Sequence, residues 1–181
     1  MPLKPIAAEI YTSSHRILGR ITPSGRGLYS YLNNNTSSYI EIEGALLSRL
    51  HQPNRMVGRY TTLSLVKNEM LAVLLSNRME LGATGTARGG YTQTRNHWIH
   101  IILGGYELRG MIEMHGAFNF ATFLLEGDTV FSPLYDATLA AILFPKIETG
   151  SAVMLFNRKK VEAIGFLPKN EQPETNQGGS N

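Results

Sequence analysis

The chain says the same thing twice. Ile10–Ile21 lines up with Ile101–Ile112, 91 positions later, so that Gly19 meets Gly110 and, further on, Gly25 meets Gly116. A one-residue gap then raises the offset to 92, and Leu32 meets Leu124, Tyr39 meets Phe131, Ala45 meets Ala137, Leu47 meets Leu139 and Pro53 meets Pro145. The retained positions are glycines, prolines and apolar residues, which set backbone shape and core rather than chemistry. A fold for 181 residues must therefore be built from one small module used in tandem. The repeat divides the chain into a first unit over 6–80, a Gly-rich linker over 81–91, a second unit over 92–168 and a polar tail over 169–181 expected to be disordered.

Each unit reads as mostly β. Ala8–Tyr11 and Trp98–Leu103 are rich in β-branched and aromatic residues, and each runs through a short turn, Ser13-Ser14 or Gly104-Gly105, into a second extended segment. Leu28–Asn33 and Phe118–Leu125 fit a short helix or a strand. Strands are expected at Tyr39–Ile42 and Val130–Leu134. Each unit then closes with what looks like a hairpin: Thr62–Val66 into Met70–Leu75, and Ala152–Phe156 into Val161–Leu167. Gly19 and Gly110 fall inside strands, where glycine marks a bend or a close backbone approach. The expected architecture is two tandem small β-barrels or rolled sheets with short helical turns.

Composition narrows the function classes. The chain has no cysteine, so it carries no disulfide framework, thiolate metal site or cysteine nucleophile. The start, Met1-Pro2-Leu3-Lys4-Pro5, lacks the apolar core of a signal peptide, and apolar runs such as Met70–Leu75 fall far short of a bilayer span. A cytoplasmic protein is the expectation. Residues 1–90 hold ten Lys/Arg against five Glu, net +5, whereas 91–168 hold six against seven and the tail adds one against two, which gives the overall +3. A basic first half suits an anionic partner.

Motifs for catalysis or cofactors are thin. Gly82-Ala83-Thr84-Gly85 superficially resembles a dinucleotide-binding turn, but a linker and then a strand follow it where that motif needs a helix. His97 and His100 are three apart, which on a strand sends them to opposite faces, and no histidine pair recurs between the units. Asp128 sits in a turn, and no serine stands in a Gly-x-Ser-x-Gly context. No enzyme activity, cofactor or metal is therefore expected. What remains is Arg16, Arg20, Arg26, Arg49, Arg55 and Arg59 with Tyr29, Tyr31 and Tyr39, the pairing of guanidinium and aromatic groups that single-stranded nucleic acid uses.

Two resemblances bear on the fold. Ile99–Ile112, a strand, Gly105, a five-residue step to Gly110 and a following apolar residue, resembles the first motif of Sm-like (Hfq-type) small barrels. Across most of both units, Arg16-Ile17-Leu18-Gly19, Leu28–Asn33 and Val66-Lys67-Asn68 resemble an uncharacterised bacterial small β-barrel domain family. The second unit keeps Leu108-Arg109-Gly110 and Phe156-Asn157-Arg158 but carries Leu125 in place of Asn33. This resemblance implies a fold and brings no activity with it. The leading expectation is a non-enzymatic interaction or assembly module, a subunit of a larger complex or homo-oligomer, because duplicated β units present sheet edges to other chains. The alternative is RNA or single-stranded DNA binding through the basic first unit.

Overall fold

A computed structural model describes residues 4–23, 27–84, 94–115, 118–125 and 129–172. The fold is mostly β. In chain order the elements are β1 (Ile6–Tyr11), β2 (His15–Ile21), α1 (Leu28–Leu32), β3 (Tyr39–Arg49), β4 (Gln52–Val66) and β5 (Ala72–Leu75), then β6 (Thr94–Leu103), β7 (Tyr106–His115), α2 (Phe120–Leu125), β8 (Phe131–Ala141), β9 (Glu148–Asn157) and β10 (Val161–Phe166). Short 3-10 turns at Lys67–Glu69 and Arg158–Lys160 precede β5 and β10. Among the described residues the ten strands lie in one antiparallel sheet of order β10-β6-β7-β8-β9-β5-β1-β2-β3-β4.

Two expectations are corrected here. Among the described residues the strands do not form two separate small barrels; they form one continuous open sheet, because β5 pairs with β9 (Ala72 opposite Phe156, Leu75 opposite Val153) and fuses the two halves edge to edge. Nor do β4 and β5, or β9 and β10, form the two expected hairpins. β4 pairs with β3, β5 pairs with β1 and β9, and β10 pairs with β6. Within the first half, β4 and β5 stand at opposite ends of the run β5-β1-β2-β3-β4, yet only Lys67–Leu71 links them. Four strand spacings on a flat sheet come to about 19 Å. A five-residue link with a 3-10 turn in it spans only about 16 Å, so the half-sheet must curl to bring its ends together.

The curl has a local cause. Gly19 lies opposite the β3 bulge around Gly44, and a Cβ on Gly19 would overlap the Ile42 side chain and sit 3.1 Å from Glu43 O. The equivalent Gly110 meets the β8 bulge around Asp136, where a Cβ would sit 2.7 Å from Leu134 Cγ and 2.9 Å from Tyr135 O. The bulge residues are both left-handed, Gly44 at φ 58° and Asp136 at φ 46°. Such a bulge sharpens the twist and lets the strand turn over the core. The β6–β7 hairpin turns through Gly104-Gly105, left-handed at both positions (φ 53° and 89°), the twist a two-residue hairpin needs.

Two apolar cores follow. One gathers Ile10, Ile17, Ile21, Leu28, Leu32, Ile40, Ile42 and Val73 with Val153 and Leu155. The other gathers Ile99, Ile101, Leu108, Ile112, Leu139, Met154 and Phe156 with Ala72 and Leu74. The strand alternation explains the crossover: at the β5–β9 seam one side of each strand feeds its own half's core and the other side feeds its neighbour's. The seam is thus buried on both faces, as all of Ala72–Leu75 and Val153–Phe156 are.

Candidate interaction interface

The seam is held by more than its ladder. Asn33, at the end of α1, accepts from the backbone N–H groups of Val130 and Phe131 (both 2.8 Å) and donates to Phe131 O (3.0 Å). Asn157 is fully buried; its N–H donates to Leu71 O (2.9 Å) and its Nδ2 to Met70 O (3.1 Å). Ser151 Oγ donates toward Leu75 O at 2.7 Å. Tyr106 OH donates to Thr12 O (2.6 Å), and its ring meets Tyr11 edge-on with centroids 5.7 Å apart. Arg78 pairs with Asp136 at 2.5 Å across the same junction, although both groups are well exposed.

None of these polar contacts was singled out by the sequence reading. The signal was present in the differences between the units. Asn33 stands against Leu125 and Asn157 against Val66. At both positions one half of the sheet carries an amide where the other carries an apolar side chain.

One feature is shared by both halves. Lys67 is buried, and its Nζ donates to Tyr31 O (3.0 Å) and Asn34 O (2.8 Å) at the end of α1. The equivalent Arg158 is also buried and donates to Phe123 O and Thr129 O beside α2. In each half a cation on the 3-10 turn answers open carbonyls in the last turn of the short helix and just beyond it. Burial pushes the Lys67 amine below its ordinary range. These are structural locks, and they tie the curl of each half to its helix.

The arginines distribute unevenly. Arg26 lies outside the described residues. Arg16, Arg20 and Arg59 share the outer face of the first half, opposite Ser48, Glu43 and Leu46 respectively. That same face carries Glu9, Glu41 and Glu43, and Arg16 Nε is bonded to Glu9 Oε1 at 2.5 Å. Arg49 lies opposite His15 at the end of β3, and Arg55 is exposed on β4. The structure therefore brings three of the six arginines together and sets three carboxylates among them.

Among the described residues the histidines do not converge. His97 packs against the rings of Phe118 and Phe166, and His100 Nε2 lies 3.7 Å from Glu107. Among the described residues no three of His, Asp and Glu are placed to hold a metal ion. Among the described residues no helix is long and apolar enough to cross a membrane. Lys169–Glu171, assigned to the tail, forms a 3-10 turn, and Gln172 donates to Leu167 O at 2.9 Å.

The two ends of the sheet are the remaining feature. Among the described residues β4 pairs only with β3, and β10 only with β6. On β4, Leu63 and Leu65 tuck against the first core while Thr62 and Ser64 are exposed, and Tyr60 and Val66 stand 41% and 49% exposed. From Tyr60 to Val66 the strand has neither charge nor proline, the two devices that commonly blunt an edge. On β10, Phe166 is 57% exposed. Comparison of the chain with protein-family models, with curated proteins and with solved structures finds no match.

Proposed function

We propose that this protein is a non-enzymatic assembly module, a tandem duplication of one curled β unit that joins other polypeptides through the free edges of its sheet. The observation that carries this reading is the edge from Tyr60 to Val66. It is long, uncharged and partly apolar, and among the described residues no second strand pairs with it. Such an edge recruits a strand: main-chain hydrogen bonds supply affinity, and alternate side chains supply selectivity. The polar residues of greatest structural consequence, Asn33, Asn157, Lys67 and Arg158, are all engaged with backbone groups of the fold itself. Nucleic-acid binding by the first half is the competing reading; Glu9, Glu41 and Glu43 on the face that carries Arg16, Arg20 and Arg59 weigh against it, since phosphate binding needs a net cationic surface.

The test is a photo-cross-linking residue placed at Ser64 and, in a second variant, at Arg20. The proposal expects polypeptide adducts from the edge position in cells and none from the face position. Adducts to RNA or DNA at Arg20, with none to protein at Ser64, would overturn it.

A further inference from the structure

The inner seam is a template for the free edges. The second half repeats the first as β10-β6-β7-β8-β9 against β5-β1-β2-β3-β4, so β10 is the counterpart of β5 and β4 the counterpart of β9. The correspondence holds residue by residue. Ile10 lies opposite Val73 as Ile101 lies opposite Ile164, and Ile40 lies opposite Leu65 as Ser132 lies opposite Phe156. The molecule therefore has a β9-type edge at one end and a β5-type edge at the other, and it already contains one example of how those two edges join.

Resting on the assembly reading above, we propose that the partner is a second copy of this chain, with β4 of one molecule pairing antiparallel to β10 of the next. Carrying over the inner register of Ala72 opposite Phe156 through Leu75 opposite Val153 sets Leu65 opposite Ala163, Ser64 opposite Ile164, Leu63 opposite Gly165 and Thr62 opposite Phe166 across the new contact. The backbone groups are aimed for it. Asn157 N–H reaches Leu71 O across the seam while Arg158 N–H turns back to Val130 O, and Lys67 N–H likewise turns back to Ser38 O. By alternation, the ladder groups of Thr62, Ser64 and Val66 point away from β3.

The side chains differ in an instructive way. Where the inner seam has Val153, Leu155 and Leu74, the free edges have Thr62, Ser64 and Gly165. Asn157 is replaced by Val66, and Asn33 by Leu125. The outer contact thus keeps the ladder but lacks the amide clamps and part of the apolar burial, which makes it a reversible version of a permanent joint. Because the contact is head-to-tail, it propagates: chains add in one direction until a ring closes or a fibre grows.

The test uses complementary edge blocks. Ser64→Pro removes an outward N–H of β4, and Phe166→Pro removes one of β10; proline is tolerated on an edge strand when the lost donor faces outward. Light scattering should show wild-type protein growing beyond the monomer with concentration. Each variant alone should stay monomeric, with circular dichroism confirming its fold, and an equimolar mixture should form a one-to-one dimer and nothing larger. A second measurement does not depend on proline. In this cysteine-free chain, the Thr62→Cys, Phe166→Cys double variant should give intermolecular products with a short bis-maleimide, and Thr62→Cys, Glu162→Cys should give at least tenfold less. If Phe166→Pro still self-associates while Ser64→Pro does not, β4 pairs with its own kind and the head-to-tail contact is wrong. If wild type stays monomeric and the Thr62–Phe166 pair gives no product, self-assembly is wrong, and adducts to other proteins from Ser64 would leave the wider assembly reading standing. No protein adducts at all would remove both.

Discussion

At the scale of single residues, the fold turns on a few positions where backbone meets backbone. Gly19 and Gly110 are the clearest. Alanine at either site forces a methyl group into Ile42 and Glu43 O, or into Leu134 and Tyr135 O, and should cost about 1–3 kcal/mol as overpacking does. Gly165, whose Cβ position is open, should accept alanine with little change. Urea denaturation of the three variants separates the cases. Tyr106 offers a second check. Its buried hydroxyl bonds Thr12 O across the seam, so Tyr106→Phe should lose on the order of 1 kcal/mol.

Burial also pushes the phenols of Tyr11 and Tyr106 well above their ordinary range, and for Tyr11 the hydrogen bond to the Glu9 carboxylate adds to the effect. An unfolded tyrosine ionises near pH 10. Between that value and the higher folded value the native state holds more protons than the unfolded one, so stability is full below about pH 10 and falls as pH rises through the window. The denaturation midpoint should drop in this range, and the slope should flatten in the Tyr11→Phe, Tyr106→Phe double variant. An unchanged slope would mean that other groups govern the alkaline limit.

At the scale of elements, much was legible and the reasons are specific. The hairpin turn at Gly104-Gly105, the bends at Gly19 and Gly110 and the turn at Lys67-Asn68-Glu69 all announce themselves through local chemistry. The partner of β5 does not. Ala72-Val73-Leu74-Leu75 pairs with Leu155 and its neighbours about 80 positions away, and no short-range pattern encodes so distant a contact. A clue was nonetheless present. An unbroken apolar run marks a strand covered on both faces, as Val153-Met154-Leu155-Phe156 also does. Thr62-Leu63-Ser64-Leu65 alternates, the pattern of a strand covered on one face. Of the candidate site residues, sequence placed the arginines in the first half but could not show that Glu9, Glu41 and Glu43 share a face with three of them, because that depends on register.

The seam itself makes an element-scale prediction. Asn33→Ala strips three hydrogen bonds from Val130 and Phe131 at the start of β8, leaving both N–H groups unanswered, and should cost roughly 1–3 kcal/mol. Leu125→Ala, at the counterpart position, should remove none of these bonds. Equal losses in a thermal melt would argue that the amide is not the clamp described here.

At the scale of the whole molecule, a sheet joined head-to-tail within one chain has two unlike ends, and the proposed contact pairs them. The β5–β9 seam is permanent, and in the proposed assembly the β4 and β10 edges are its reversible counterparts. Amide hydrogen exchange read at single residues, in dilute and in concentrated protein, tests this most directly. The amides of Val73, Leu75, Val153 and Leu155 should be strongly protected at every concentration, while those of Thr62, Ser64, Ile164 and Phe166 should exchange freely in dilute solution and become protected together as concentration rises. Edge amides that exchange freely at all concentrations, or seam amides that exchange as fast as the edges, would contradict it.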